Sequence, residues 1–331
     1  MNIKLNNKLK KAGYIVFTII YFAFFTAVVF VLNNSEMYKK SSEVVYNLES
    51  SDEMYAERKR AHLVGIQEID GKKYYFDEKG SIKTGWINVS ENERYYADGN
   101  GEIVTGKQTI ADIKYEFDND GRLLNEEENN VKMVALTFDD GPSEYTDEIL
   151  DVLEKYNVKA TFFLLGSRVS DYSKELKRAY DDGCQIGSHT YNHKYLTSLS
   201  LSQLKKEIDM TNDKIESIIG EKADCLRPPG GFYDHRVLAV IDCPIAMWSV
   251  DTLDWKSQNT QSVIKIATTD IKNGDIILMH DIYSSTAKAV EKIVPELIQQ
   301  GFKLVTVSEL LNANGGVFDK KIYYSAYKVQ E

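Results

Sequence analysis

The chain has 331 residues, 43% apolar and 27% charged, enough for one sizeable core with smaller modules beside it. A formal net charge of −10 with no long basic block argues against a nucleic-acid partner, because phosphate binding calls for a stripe of Lys and Arg. The three cysteines, Cys184, Cys225 and Cys243, cannot all pair and show no CxxC spacing, so they read as small buried residues rather than a disulfide framework or a thiolate metal site.

Residues 1–11 carry Lys4, Lys8, Lys10 and Lys11, and from Ala12 to Asn34 no charged residue occurs. As a helix, the run 12–32 would be about 31 Å long, close to the hydrocarbon thickness of a bilayer. Lysines before it and mixed charges after it predict a single-pass anchor with the first residues cytoplasmic and everything after about residue 33 outside. A cleaved signal peptide is the rival, but the run is long and no A-x-A-like site follows it. Residues 33–64 read as a charged stalk.

Residues 65–124 repeat themselves. GKKYYFDEKGSIKTG at 71–85 is answered by NERYYADGNGEIVTG at 92–106 and by DIKYEFDNDGRLL at 112–124. Asp77, Asp98 and Asp118 hold one position and Gly80, Gly101 and Gly121 another, with spacings of 21 and 20 residues in each set. Each unit reads as an aromatic strand, an Asp-x-x-Gly turn and a short second strand, a β-hairpin that must stack on its neighbours to be stable. The segment resembles the cell-wall-binding, choline-binding-type repeats of Gram-positive surface proteins. Only Gly85-Trp86 keeps the tryptophan of their signature; Gly65-Ile66 and Gly106-Lys107 replace it elsewhere. The resemblance implies an aromatic cage for choline, held by cation–π attraction, and the missing tryptophans put choline binding in doubt. A spacer and a weak binder of wall glycan both fit the segment.

All five prolines, and the alternation of strands with helices, lie beyond residue 130, past the acidic, Asn-rich NEEENN at 125–130. VKMVALTF is a predicted strand, TDEILDVLEKY a helix, KATFFLLG a strand and SKELKRAYDDG a helix ended by Gly183. QIGSH follows, then a long amphipathic helix whose Ser202 and Glu207 suit a capped start, then AMWSVD, DIILMHD and FKLVTVSELL. Such alternation implies a parallel α/β sheet, either a barrel or doubly wound, with its chemistry at the strand ends.

Those ends are rich in reactive groups. Asp139 and Asp140 close the first strand, His189 and His193 follow the third, Arg227 opens RPPGG, Asp251, Asp254 and Trp255 lie in DTLDW, and His280 ends IILMHD. Two histidines at i and i+4 with one carboxylate make a His₂Asp set that leaves metal positions open for water, the outline of a hydrolytic site.

TFDDGP, HTYNH, RPPGG, DTLDW and LMH, in this order, resemble the five motifs of the polysaccharide deacetylase family (NodB-homology, carbohydrate esterase family 4) across residues 131–313, leaving 314–331 as a tail. The resemblance implies a distorted (β/α) barrel of about seven strands. It also implies a divalent metal, commonly zinc, and removal of acetyl from N-acetylated sugars of a polysaccharide. By the same resemblance Asp140, His189 and His193 are metal ligands, Asp139 the general base and His280 the general acid. Arg227 would orient Asp139, Asp254 would orient and tune His280, and Gly230, Trp255 and Leu278 would meet substrate. Family members often carry an aromatic residue where this chain has Gly230, and Phe232 or Tyr233 could fill that gap. The expectation is a membrane-anchored, outward-facing deacetylase of peptidoglycan N-acetylglucosamine. The alternatives are a deacetylase of chitin-like or secreted exopolysaccharide, or a wall-binding surface protein with an idle barrel.

Overall fold

The computed structural model describes residues 63–90, 92–110, 113–126 and 131–330. The anchor expected at 12–32, and all of the stalk up to residue 62, lie outside the described residues. Among those described, no helix is long and apolar enough to cross a membrane. The chain divides into two compact units, one ending at Lys83 and the other starting at Thr84.

In the first unit Gly65–Ile69 pairs antiparallel with Lys72–Phe76. The strands are joined at Asp70 and Gly71, both at positive φ (52° and 76°), which matches the twist of a two-residue hairpin turn. Asp77 then builds the turn read from the repeat. Its Oδ1 accepts from the Lys79 and Ser81 amides at 2.9 and 2.8 Å, and Gly80 at φ 78° donates its amide to the Asp77 carbonyl. Asp98 and Asp118 do the same with the amides two and four residues on. The hairpins differ from the predicted pattern in one respect. In the first two, the aromatic strand pairs with the strand before it, and the Asp turn leads only to a single bridge, Phe76 to Ile82 and Ala97 to Ile103. Only Ile113–Phe117 pairs across its Asp turn, with Leu123–Glu126.

In the second unit the hairpins Gly85–Ser90 with Glu93–Ala97 and Gly106–Ile110 with Ile113–Phe117 share a core with the α/β sheet: Ile113, Tyr115 and Phe117 are buried with Met133, Ala135, Ile276 and Val305. The tryptophan of the repeat faces inward here. The Arg94 guanidinium lies 4.6 Å from the Trp86 ring centroid, donates to the Asn312 carbonyl at 2.7 Å and to Asn88 Oδ1 at 3.0 Å, and Asn88 donates in turn to Asn312 and to the Val317 carbonyl.

The sheet carries nine strands among the described residues: β1 (Lys132–Asp139), β2 (Thr161–Leu164), β3 (Gln185–Ser188), β4 (Ile245–Ala246), β5 (Val250–Asp251), β6 (Asp275–His280), β7 (Phe302–Leu304), β8 (Ile322–Ser325) and β9 (Lys328–Gln330). Its main path runs β3-β2-β1-β6-β8-β4, with β5 on β6, β7 on β1 and β9 on β8. Leu226 bridges Ser188 on one side and Ile245 on the other, so the two ends of the path meet through one residue. This is a curled α/β sheet, less regular than the expected ring of parallel strands. β6 and β8 pair antiparallel at one position, and β8 folds back on β9.

β1 is buried on both faces from Met133 to Phe138, as a central parallel strand should be. The helix Thr146–Lys155 (α1) lays Ile149, Leu150 and Leu153 on one side of it, and Ser284–Gln299 (α2) lays Val290, Ile293 and Val294 into the same core. The long helix Leu201–Ile219 begins otherwise than predicted. Its capping box is formed by Ser200 and Gln203, not Ser202 and Glu207. FKLVTVSELL is a strand only to Leu304, after which Thr306 and Glu309 form a second capping box and open the helix Val307–Asn312. Cys184 and Cys225 are buried, Cys243 is half-buried, and none is paired.

Candidate active site

β1 and β6 run parallel in a register that sets Asp139 beside His280. The chain leaves β1 through Asp140, which sits in the left-handed region at φ 71°. That conformation is uncommon for a residue with a side chain and tends to mark sites where the surrounding structure overrides local preference. Thr190 (φ 70°) and His193 (φ 56°) share it in the loop after β3. The ligand atoms of Asp140, His189 and His193 all lie within 4.8 Å of one another.

The fit of this triad to a cation rests on Asp140 Oδ1. That atom is buried and has no hydrogen-bond partner, yet the Nε2 atoms of His189 and His193 lie 3.6 and 3.4 Å away. A buried carboxylate oxygen left unpaired is costly, and a metal bound among the three atoms would satisfy it. The Nδ1 of His189 lies 2.7 Å from the Arg227 carbonyl, so with Nδ1 as the donor its Nε2 lone pair faces the triad. Burial lowers the His189 pKa to about 3 despite the pull of Asp140, which keeps the ring neutral and able to ligate.

Asp139 stands behind the triad. Its Oδ1 accepts from Arg227 Nη1 at 2.8 Å, while Oδ2 lies 3.7 Å from His189 Nε2, beyond hydrogen-bond range. Arg227 is fully buried and pinned from every side. Its Nη1 also donates to Thr137 Oγ1, Nε to the Ala246 carbonyl and Nη2 to the Met247 carbonyl, and the Phe163 ring lies 4.0 Å away. Burial raises the Asp139 pKa, and the charges of Arg227 and His280 oppose it.

The opposite wall is His280 on Asp254. Asp254 is fully buried; its Oδ1 lies 2.8 Å from His280 Nδ1 and accepts from the Trp255 amide, while Oδ2 accepts from the His280 amide and from Thr286 Oγ1. Burial alone would lower His280, but the hydrogen bond and charge of Asp254, with Asp139 and Asp140 beyond, outweigh it and raise its pKa to about 9. Asp281, the next residue, packs its carboxylate against Gly141, where an added Cβ would fall 2.2 Å from an oxygen, and accepts from Thr146 at 2.5 Å. The glycine of the doublet motif is thus required by a close approach.

The structure brings Asp139, Asp140, His189, His193, Arg227, Asp254 and His280 together. Gly230 lies in the turn Pro229–Gly231 at φ 64°, Leu278 is buried in β6 two residues before His280, and Trp255 is half in solvent. The rings of Phe232 and Tyr195 converge on Gly230, so Phe232 fills part of the space left by its missing side chain. Sequence reasoning missed Thr137, Thr286 and the role of Glu207. Glu207 is buried on the long helix, accepts from the Asn192 amide at 2.9 Å and pairs with Lys194 at 2.9 Å, bracing both sides of His193. Its position inside an amphipathic helix at a buried site was the available signal.

The chain is similar to known proteins over both of its recognisable segments. The family model for polysaccharide deacetylase matches residues 126–243, and that for the choline-binding repeat matches residues 63–107. A peptidoglycan-N-acetylglucosamine deacetylase of Bacillus cereus is 36% identical over 208 residues, which are 60% of this chain and 97% of that protein. The chain belongs to the polysaccharide deacetylase family. The peptidoglycan-N-acetylmuramic acid deacetylase PdaC of Bacillus subtilis is 42% identical over 182 residues, 55% of this chain, and the chain spans only 39% of that relative's length. The solved structure of PdaC covers 56% of this chain and 93% of its own, with 40% identity and a TM-score of 0.55.

Proposed function

We propose that this chain is a metal-dependent N-deacetylase that removes acetyl from N-acetylglucosamine of peptidoglycan, with residues 12–32 anchoring it in the membrane and the sheet facing the wall. The observation that carries the reading is the orphaned, buried Asp140 Oδ1 between two imidazoles, with an acid–base pair on adjacent strand ends beside it. The likeness to the two Bacillus peptidoglycan deacetylases supports a peptidoglycan substrate.

Hydrolysis of an acetamide needs an activated water, a polarised carbonyl and a proton for the departing amine. Asp140, His189 and His193 would hold the divalent ion, zinc by the donor set, and when bound it polarises the carbonyl and acidifies a neighbouring water. Asp139 takes the proton of the attacking water at Oδ2, the oxygen that Arg227 leaves free. Its raised pKa makes it a stronger acceptor than an exposed aspartate. The backbone amide at Gly230 would donate to the developing oxyanion. His280, anchored through Nδ1 to Asp254, gives the Nε2 proton to the sugar nitrogen as the C–N bond breaks. Acetate and a glucosamine amine leave, and Leu278 and Trp255 line the acetyl pocket.

The test is acetate release by the full chain from purified peptidoglycan and from N-acetylglucosamine oligomers, with and without added zinc. Activity on oligomers but not on peptidoglycan would move the substrate to chitin-like or exopolysaccharide chains.

A further inference from the structure

Outward from the triad, His193 is followed by two exposed aromatic rings. The Tyr195 centroid lies 6.4 Å from that of His193, and Phe232 meets Tyr195 edge to face at 5.2 Å and 70°. Tyr195 is 50% exposed and Phe232 53%. Single exposed apolar side chains are ordinary on a protein surface; here two in mutual contact lie beside a candidate metal site.

The backbone builds this pair from two separate segments. Tyr195 is extended at the head of the short turn Leu196–Ser198, where the fully buried Leu196 anchors the segment. Phe232 closes the turn Pro229–Gly231, in which Gly230 and Gly231 both take positive φ, 64° and 73°. A Cβ at Gly230 would lie 3.0 Å from the Phe232 ring and 3.1 Å from Tyr195. Glycine at 230 therefore leaves room for both rings to close over the turn Pro229–Gly231.

We propose that Tyr195 and Phe232 form a stacking platform for the pyranose ring next to the sugar that loses its acetyl, so that the protein selects a residue within a glycan chain over a free amino sugar. The inference rests on the glycan-deacetylase reading. A pyranose presents a face of C–H groups between equatorial hydroxyls, and an aromatic ring offers it an apolar surface of low conformational cost. The platform begins one ring beyond His193, within reach of a sugar joined to one whose acetamide lies at the triad.

Two readouts test the proposal. The first is kcat and KM of the zinc-loaded full chain on N-acetylglucosamine and on its pentamer, for the native chain and for Tyr195→Ala and Phe232→Ala. Each substitution should raise KM for the pentamer about 5–10-fold, as expected for one lost aromatic contact. It should also shrink the pentamer-to-monomer ratio of kcat/KM, while Tyr195→Phe and Phe232→Tyr restore it. The second is calorimetric titration of the metal-free chain with the pentamer, in which the alanine variants should bind more weakly by a similar factor. Equal losses on monomer and pentamer would overturn the proposal, since the rings would then act through His193. Unchanged binding in the calorimeter would overturn it as well. Failure of the deacetylase reading is distinguishable: a native chain that binds the pentamer through both rings yet releases no acetate upholds the platform and refutes the enzyme.

Discussion

Asp254→Asn isolates what holds the proton on His280. The aspartate accepts four hydrogen bonds, two on each oxygen, and is closed off from water. An asparagine of the same shape keeps one accepting oxygen, which can still serve His280 Nδ1 and the Trp255 amide. Its NH₂ then confronts the His280 amide, so a buried donor loses its partner at a cost of about 1–3 kcal/mol. The charge is lost altogether. Burial pulls the His280 pKa down, and Asp254, through its hydrogen bond and its charge, does most to overcome that pull and lift the ring from 6.5 to about 9. Without the carboxylate, burial is opposed only by the charges of Asp139 and Asp140, and the ring falls back toward its ordinary value. A raised histidine keeps its proton below the folded pKa and loses it as pH rises through that value, so the native basic limb should fall near pH 9 and the variant's near the ordinary 6.5. At pH 8 the protonated fraction drops from ~0.9 to ~0.03, an expected loss of about 30-fold in kcat/KM, against less than about twofold at pH 6 from protonation alone. A bound cation displaces both curves in the same direction, so the separation of the limbs is the quantity to read. The assay is the pH profile of acetate release from an N-acetylglucosamine oligomer. A variant whose basic limb stays near the native one would refute Asp254 as the source of the His280 proton affinity.

Asp139→Asn should bind zinc nearly as the native chain does while losing about 10²–10⁴-fold in turnover, whereas Asp140→Ala should lose the metal, both read by metal content and acetate release. Glu207→Ala frees the Asn192 amide and Lys194, and should weaken zinc affinity about 10-fold in a competition titration. Phe117→Ala opens the core shared by the hairpins and the sheet, and should cost about 3–5 kcal/mol by chemical denaturation. Cells lacking the protein should carry less free glucosamine in their wall and become more sensitive to lysozyme; an unchanged wall would point to another glycan.

The candidate base and acid, Asp139 and His280, were legible in the sequence because each closes a strand. Asp139 ends β1 and His280 ends β6, and the alternating pattern places both at one edge of a parallel sheet before any coordinate is known. The Asp turns of the hairpins were legible for a similar reason, since a local hydrogen-bond pattern repeats wherever Asp and Gly hold their spacing. What escaped was non-local. Nothing near Thr137 or Thr286 in sequence says that they will meet Arg227 and Asp254, contacts spanning 90 and 32 residues. Glu207 read as part of a helix start because helix signals are local, and its true partner is a loop 15 residues earlier. The curl of the sheet depends on Leu226, a single bridging residue with no strand around it to give a periodic signal. The hairpin core likewise forms by burial of Tyr115 and Phe117 against strands that follow later in the chain.

The central claim is tested most directly by incubating the full chain, stripped of metal and then reloaded with zinc, with purified peptidoglycan and following acetate release alongside the masses of the muropeptides. The account predicts no acetate from the stripped chain, restored release on reloading, glucosamine in place of N-acetylglucosamine in the product, and silence from Asp140→Ala under every condition. Zinc bound at Asp140, His189 and His193 with no acetate released from peptidoglycan or from N-acetylglucosamine oligomers would contradict it.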